Sequence, residues 1–341
     1  MPSRSIAVII AAFNSASTID RAVRSALAES EVRECIVVDD ASDDTTIASA
    51  LRADDGTKRL KVIQLSENRG PASARNAALD ACTSDYVCVL DADDYFIPGR
   101  LRRLLERVTD DDLLADDIII VPEDQLNAFT TALNGNIVGG MPPSAGIKLE
   151  LSDFIRSNIP RRGRPRAETG FLKPIMKRDF IERTKLRYDS VLRLGEDYAF
   201  YARALMAGAK FRIVGACGYI AVERSNSLSS RHSIADLSEL ANFDSACIAN
   251  ENLNDDQRAA FREHLRATKK NIAFRRALSA RSADGLLAGI ATAAKHPSSL
   301  GYMISEALYA RYRKIRIGME NREGRDKLDS IRLLIGEAGL R

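Results

Sequence analysis

Two apolar runs in the first hundred residues each end in a cluster of carboxylates. In Val87-Cys88-Val89-Leu90-Asp91-Ala92-Asp93-Asp94, a buried strand would deliver hard oxygen ligands where Mg²⁺ or Mn²⁺ could sit between protein and diphosphate. Such a cation would neutralise charge on a departing nucleoside diphosphate. The plainer reading is an acidic turn, with Asp94 serving the N-terminus of a helix after Pro98. In Cys35-Ile36-Val37-Val38-Asp39-Asp40-Ala41-Ser42-Asp43-Asp44-Thr45, a carboxylate can accept from a uracil imide N–H or from ribose hydroxyls, while Asp43 or Asp44 suits a helix cap. A pocket acidic on two sides repels a pyrophosphate unless a metal or an arginine intervenes. Arg75, in Asn68-Arg69-Gly70-Pro71-Ala72-Ser73-Ala74-Arg75-Asn76, can intervene: small residues open a helix whose N–H groups suit an anion, and Arg75 adds a guanidinium. A surface arginine beside a routine helix start is the alternative.

The elements that must position these groups alternate in type. Ile6 to Ala11, Glu34 to Asp39, Leu60 to Leu65 and Tyr86 to Leu90 are apolar runs continuous enough for strands covered on both faces. Ile19, Ala22, Val23, Ala26 and Leu27 recur at helical spacing, and Pro71 stands where a first helical position tolerates it, before Ala74, Ala77, Ala78 and Ala81. Repeated βα units predict a parallel sheet flanked by helices. Ligands of such sheets bind beyond the carboxyl ends of the strands. Those ends carry Asn14, Asp39 with Asp40, and Asp91 to Asp93.

Composition narrows the class. Fifty Lys and Arg against 47 Asp and Glu leave a formal charge of +3 on 341 residues, which gives no bulk-charge case for a nucleic-acid partner. Cys35, Cys82, Cys88, Cys217 and Cys247 form no CxxC pair or zinc spacing, so they read as free buried thiols of a reducing compartment. The run from Ile6 to Phe13 is short and lacks a strongly basic leader, and reads as a strand rather than a signal peptide. No stretch reaches the roughly 20 apolar residues of a bilayer span, so the chain is expected to be soluble or peripherally bound.

As an ordered set, Val8-Ile9-Ile10-Ala11-Ala12-Phe13-Asn14, the Asp39-Asp40 segment, Asn68-Arg69-Gly70 with Ala74-Arg75-Asn76, and Leu90-Asp91-Ala92-Asp93-Asp94 resemble the family 2 glycosyltransferases of bacterial polysaccharide synthesis. The resemblance implies the GT-A fold, an α/β architecture of mostly parallel sheet flanked by helices, here with a helical C-terminal region. It also implies a UDP-sugar donor and Mg²⁺ or Mn²⁺. By position, Asp39 and Asp40 hold uridine, Asp93 the metal, and Asp91 the ribose or a metal-bound water. Ala11, Phe13, Asn14, Arg69, Gly70, Arg75 and Ala92 fall within the donor-binding motifs.

Downstream, Gly195-Glu196-Asp197-Tyr198-Ala199-Phe200 resembles the family's acidic motif, which makes Asp197 the catalytic base; an ordinary helix start is the alternative. Gly170-Phe171-Leu172 with Phe180-Ile181 resembles the segment leading up to it. Arg224, in Arg224-Ser225-Asn226-Ser227, resembles a stretch that closes over the diphosphate, and His232 is a candidate further metal ligand. Domain boundaries are expected at 1–230 for the GT-A domain, with a nucleotide-binding half (1–110) and an acceptor half (111–230), and at 231–341 for a helical C-terminal region, almost wholly helical in pattern and without further strand alternation. Pro142-Pro143, Asn134-Gly135, Gly139-Gly140 and the basic run Arg161 to Arg166 predict a loop-rich connection. Tyr309 to Ile317 is basic and aromatic; it suits either an anionic membrane surface or a helix packed on the core.

The resemblance extends to the glucosyltransferases that extend lipid-linked repeat units of acidic exopolysaccharides such as succinoglycan. It implies inverting transfer of glucose from UDP-glucose to a saccharide or lipid-linked oligosaccharide. The expected location is cytoplasmic, with peripheral contact at the inner membrane. Transfer of GlcNAc or galactose, or a non-catalytic nucleotide-sugar-binding assembly protein, are the alternatives.

Overall fold

Residues 4–133, 146–160, 168–224, 233–306, 308–309 and 331–336 are described by the computed structural model. The chain forms two compact units, Met1–Ser225 with Ser330–Arg341, and Asn226–Asp329.

The first unit opens with three strand-helix pairs, β1 (Ile6–Ala12), α1 (Ile19–Leu27), β2 (Val32–Asp39), α2 (Thr46–Arg52), β3 (Leu60–Gln64) and α3 (Pro71–Ala81), followed by β4 (Tyr86–Val89). These are the elements that the apolar runs and helical spacings predict. Five residues expected on one face of α1, Ile19, Ala22, Val23, Ala26 and Leu27, are its buried set. The unit continues with β5 (Tyr95–Phe96), α4 (Arg100–Leu105), β6 (Leu113–Asp116), β7 (Ile119–Pro122), α5 (Leu126–Leu133), β8 (Ile147–Lys148), α6 (Leu151–Ser157), β9 (Ile175–Lys177), α7 (Arg178–Arg183), α8 (Glu196–Met206), β10 (Phe211–Val214) and β11 (Tyr219–Glu223).

The main sheet has eight strands in the order β3-β2-β1-β4-β9-β6-β10-β8. β3, β2, β1 and β4 run parallel, whereas β9 is antiparallel to both β4 and β6. β1 and β4 are buried almost throughout, as strands covered on both faces must be. A second sheet orders β11 between β7 and β5.

The second unit holds α9 (Ile234–Ile248), α10 (Asp255–Asp284) and α11 (Leu286–Ala294). Capping boxes start α9 at Ser233 with Asp236 and α10 at Asn254 with Gln257, each satisfying N–H groups that a helix start leaves orphaned. Buried Asp244 of α9 meets His264 Nδ1 of α10 at 2.7 Å. No helix among the described residues is long and apolar enough to cross a membrane.

The helical C-terminal region expected from 231 onward is followed by one strand that the sequence pattern does not announce. β12 (Arg332–Leu333) pairs antiparallel with β7, and the Ile335 and Gly336 N–H groups donate to the two oxygens of Asp117 at 2.9 Å each. Two residues are too few to show alternation, so this strand exists through its partner and not through its own pattern. Asp94, which reads as a helix cap from the sequence, also lies elsewhere. Glu29 accepts from Gly99 N–H at 2.5 Å and from Leu101 N–H at 2.8 Å at the start of α4, while Asp94 faces inward. The loop expectations at 134–143 and 161–166 fall outside the described residues.

Candidate functional site

The ends of β1 and β2 are laced together. Asn14, at φ 48, donates its N–H to Ser42 Oγ at 2.9 Å and accepts from Asp43 N–H at 3.1 Å through Oδ1. Ser15 N–H donates to Thr46 Oγ1, and Ala16 N–H to Asp44 Oδ2. Ala41 has φ 58, a left-handed conformation that costs a non-glycine residue about 1 kcal/mol or more. The lacing holds Asp39 at the carboxyl end of β2. Its side chain is fully buried; Oδ2 accepts from Ser42 N–H at 3.1 Å, and Oδ1 has no hydrogen-bond partner. A buried carboxylate oxygen without a donor costs free energy until a ligand N–H or O–H reaches it.

Asp40 is engaged differently. Its Oδ1 accepts from Arg69 N–H at 2.8 Å and its Oδ2 from Gly70 N–H at 2.7 Å. It therefore pins the loop that enters α3, where Gly70 takes φ 87, a conformation strained for any L side chain. Arg69 itself is exposed and paired with Glu67. Ala11 is half-buried and Phe13 is 41 % exposed, leaving the Phe13 ring at the surface beside Asn14.

At the end of β4, the expected acids separate into three environments. Asp94 accepts from Tyr219 Oη at 2.8 Å and from Val222 N–H at 2.9 Å, and the same Tyr219 hydroxyl accepts from Asp91 N–H at 3.2 Å. Burial, with Asp93 and Asp91 nearby, raises the Asp94 carboxyl well above its ordinary value. Its work is to fix the turn, with Ala92 buried inside it.

Asp91 points the other way, into a cluster of buried charges. Arg75 Nη2 donates to Asp91 Oδ1 at 2.9 Å, and Lys173 Nζ lies 3.0 Å from Asp91 Oδ2. Arg75 Nη1 also donates to Glu196 Oε1 at 2.8 Å and Asp197 Oδ1 at 3.0 Å, and Lys173 Nζ donates to Asp197 Oδ2 at 2.7 Å. Two cations thus hold three carboxylates. Gly195, at φ 72, starts α8 and brings Glu196 and Asp197 into its first turn, where the helix N-terminus also favours negative charge. The Tyr188 ring, stacked on Phe200 with centroids 4.2 Å apart, lies beneath the Arg75 guanidinium.

The electrostatics follow from crowding. Burial opposes the Asp91 charge, but Lys173 and then Arg75 overcome it and hold the carboxyl below its ordinary value. Glu196 is raised, because burial outweighs its contact with Arg75 and Asp197 adds repulsion. Burial opposes the Lys173 and Arg75 charges, yet the carboxylates around them raise both above their ordinary values.

Asp93 is the acid left facing solvent, with its side chain 43 % exposed and Arg224 Nη1 4.0 Å from its Oδ2. Desolvation by the surrounding protein and the Asp91 charge raise its carboxyl above the ordinary value. Arg21 Nη2 fixes the turn from behind by donating to the Asp93 carbonyl at 2.5 Å. Arg224 also pairs with Glu123 at 3.2 Å. Among the described residues no three His, Cys, Asp or Glu side chains converge on a metal position, and His232 lies outside those residues.

Over 311 residues the chain is 43% identical to the succinoglycan biosynthesis protein ExoU of Rhizobium meliloti, covering 91% of this chain and 89% of that one. The chain belongs to glycosyltransferase family 2. The family profile, Glycosyl transferase family 2, matches residues 7–165. Among solved structures, it is similar to S. aureus TarS 1-349 in complex with UDP-GlcNAc, with TM-score 0.57 and 18% identity over 86% of this chain and 92% of that one. It is also similar to the mannosyltransferase PcManGT of Pyrobaculum calidifontis in complex with GDP-Man and Mn²⁺, with TM-score 0.54 and 18% identity over 93% of this chain and 83% of that one. These likenesses agree with a GT-A fold for this family member.

Sequence reasoning misses the partners of one member of the site and the whole of another. Arg75, expected to face a pyrophosphate, spends its guanidinium on Asp91, Glu196 and Asp197. Lys173 is not singled out at all, although a lone lysine in the apolar run Phe171-Leu172-Lys173-Pro174-Ile175-Met176 is a signal, since a buried lysine needs a partner.

Proposed function

We propose that this family 2 glycosyltransferase moves glucose from UDP-glucose to a lipid-linked oligosaccharide of an acidic exopolysaccharide such as succinoglycan, with inversion at the sugar C1, at the cytoplasmic face of the membrane. The observation that carries the chemistry is Asp197, held beside Asp91 at the carboxyl end of β4 by Arg75 and Lys173. The similarity to the Rhizobium meliloti protein along most of both chains supports the substrate class. The buried Oδ1 of Asp39, which lacks a donor, suits the imide N–H of uracil or a ribose hydroxyl.

Asp197 keeps a free lone-pair direction on each oxygen beyond those used by Arg75 and Lys173. It accepts the proton of the acceptor hydroxyl as that oxygen attacks C1 from the face opposite the nucleotide, and UDP departs. Arg75 and Lys173 fix the position of that carboxylate for the transfer. Glu196 accepts from the same Arg75 Nη1 and helps to keep the guanidinium in place.

Asp93 fits a divalent cation that takes one protein carboxylate and fills its remaining positions with diphosphate oxygens and water, the usual habit of Mg²⁺. Bound there, Mg²⁺ or Mn²⁺ would supply charge neutralisation for the leaving diphosphate. Asp91, with an oxygen on each of two cations, is the poorer ligand.

The test is UDP release from UDP-glucose, UDP-galactose and UDP-GlcNAc with membrane extracts bearing lipid-linked acceptors, with and without Mn²⁺, and NMR of the product. A β-glucoside formed from UDP-glucose is expected. Preferential use of another donor overturns the sugar, an α-linkage overturns inversion, and no turnover with any donor overturns the catalytic reading.

A further inference from the structure

The helical unit exposes more large apolar side chains than a water-facing surface normally carries. α11, with the sequence Leu-Leu-Ala-Gly-Ile-Ala-Thr-Ala-Ala, contains no charge. It lies against α10 at Gly289, where a Cβ would meet Arg281 Cβ at 2.7 Å and the Ala277 carbonyl oxygen at 3.1 Å. The close approach buries one side and turns the other outward, leaving Leu286, Leu287 and Ile290 62 %, 81 % and 56 % exposed. The helical run that follows repeats the pattern at i, i+4 and i+8, with Leu300, Ile304 and Leu308 all exposed. Single exposed leucines are ordinary, but stripes of them on successive helices mark a docking surface.

Charge selects the occupant. Residues 266–309 carry seven Lys or Arg against two acids, Asp284 and Glu306, an excess larger than the +3 of the entire chain. Lys269, Lys270, Arg276, Arg281 and Lys295 are exposed. A second copy would bring the same excess and be repelled, and protein interfaces are poor in lysine. A surface of anionic lipid attracts these cations while admitting the leucines among its acyl chains, and an uncharged helix too short to span lies in the plane of such an interface.

We propose that the outward faces of α11 and of the helical residues 300–306, with Leu308 beyond them, dock the protein onto an anionic lipid surface. The proposal deepens the reading of a membrane-borne acceptor given above, but its evidence is the exposed face and its charge.

Full-length protein is mixed with phosphatidylcholine vesicles, with or without phosphatidylglycerol, and recovered by flotation. Binding is expected only with phosphatidylglycerol, released as salt rises, and weakened about tenfold or more in Leu287→Glu/Ile290→Glu. These positions are exposed, so that variant keeps its fold and its UDP release with a water-soluble acceptor. Asp197→Asn is expected to float like the parent, which separates failure of docking from failure of the catalytic reading. Equal binding to phosphatidylcholine alone, no binding to either vesicle, or unchanged binding by the double variant overturns the proposal. A dimer in sedimentation velocity that the double variant dissolves overturns it in favour of a second copy.

Discussion

Replacing Asp197 with asparagine separates the role of its charge from the role of its shape. Asp197 accepts from Arg75 Nη1 at 3.0 Å and from Lys173 Nζ at 2.7 Å, so the asparagine NH₂ must face one of two donors. The lost bond to a charged group costs about 1.5–3 kcal/mol. The larger penalty of about 3–5 kcal/mol for an uncompensated buried charge does not apply. Asp91 and Glu196 remain against Arg75 and Lys173, and the cluster becomes neutral. The variant therefore stays folded, with a melting temperature lower by a few degrees. Transfer is a different matter, because an amide cannot take the proton. The rate should fall by about 10²–10⁴, equivalent to roughly 2.7–5.4 kcal/mol on the barrier. Donor affinity should stay within about threefold, because Asp39 and Asp93 are untouched. Calorimetric titration with UDP-sugar and single-turnover transfer measure the two quantities, with Glu196→Gln as control. A rate within about threefold of the parent, or a loss confined to Glu196→Gln, would refute the assignment of the base.

Two further substitutions probe the surroundings of that cluster. Lys173→Met leaves three carboxylates against the single guanidinium of Arg75, so calorimetric unfolding should show a loss of about 3–5 kcal/mol; a loss under about 1 kcal/mol would mean that water already screens the site. Arg100, fully buried between Phe96 and Tyr219, donates to Asp116 and to the Lys173 carbonyl. Arg100→Met should cost a similar amount, and adding Asp116→Asn should recover part of it by removing the stranded charge; a double variant no more stable than Arg100→Met would contradict that account.

Much of this arrangement is legible in the sequence, for a definable reason. β1 to β4 are apolar runs long enough to announce themselves, and a parallel sheet sends its chemistry to the strand ends, so Asp39, Asp91 and Asp93 stand out without any tertiary information. The partners of those acids do not. Arg75 reads as an anion site because small residues precede it, and only the approach of α8 shows that carboxylates occupy its guanidinium. Asp40 resembles Asp39 in sequence, yet its two oxygens are taken by the backbone of Arg69 and Gly70. Lys173 is invisible to patterning because burial of a lysine is decided by what lies opposite it. Asp94 is as acidic as its neighbours, and a tyrosine 125 residues away turns it inward.

The pairing of β12 with β7 has a consequence for anyone who cuts this chain. Because residues 331–336 return to the first unit, the helices α9 to α11 are a cassette inserted into a host whose own thread resumes afterwards. A stop codon placed before them would remove a sheet edge and both backbone donors to Asp117, so a truncated protein that fails would say nothing about the helices. The entropy of closing so large a loop is part of what the six described residues from 331 to 336 repay.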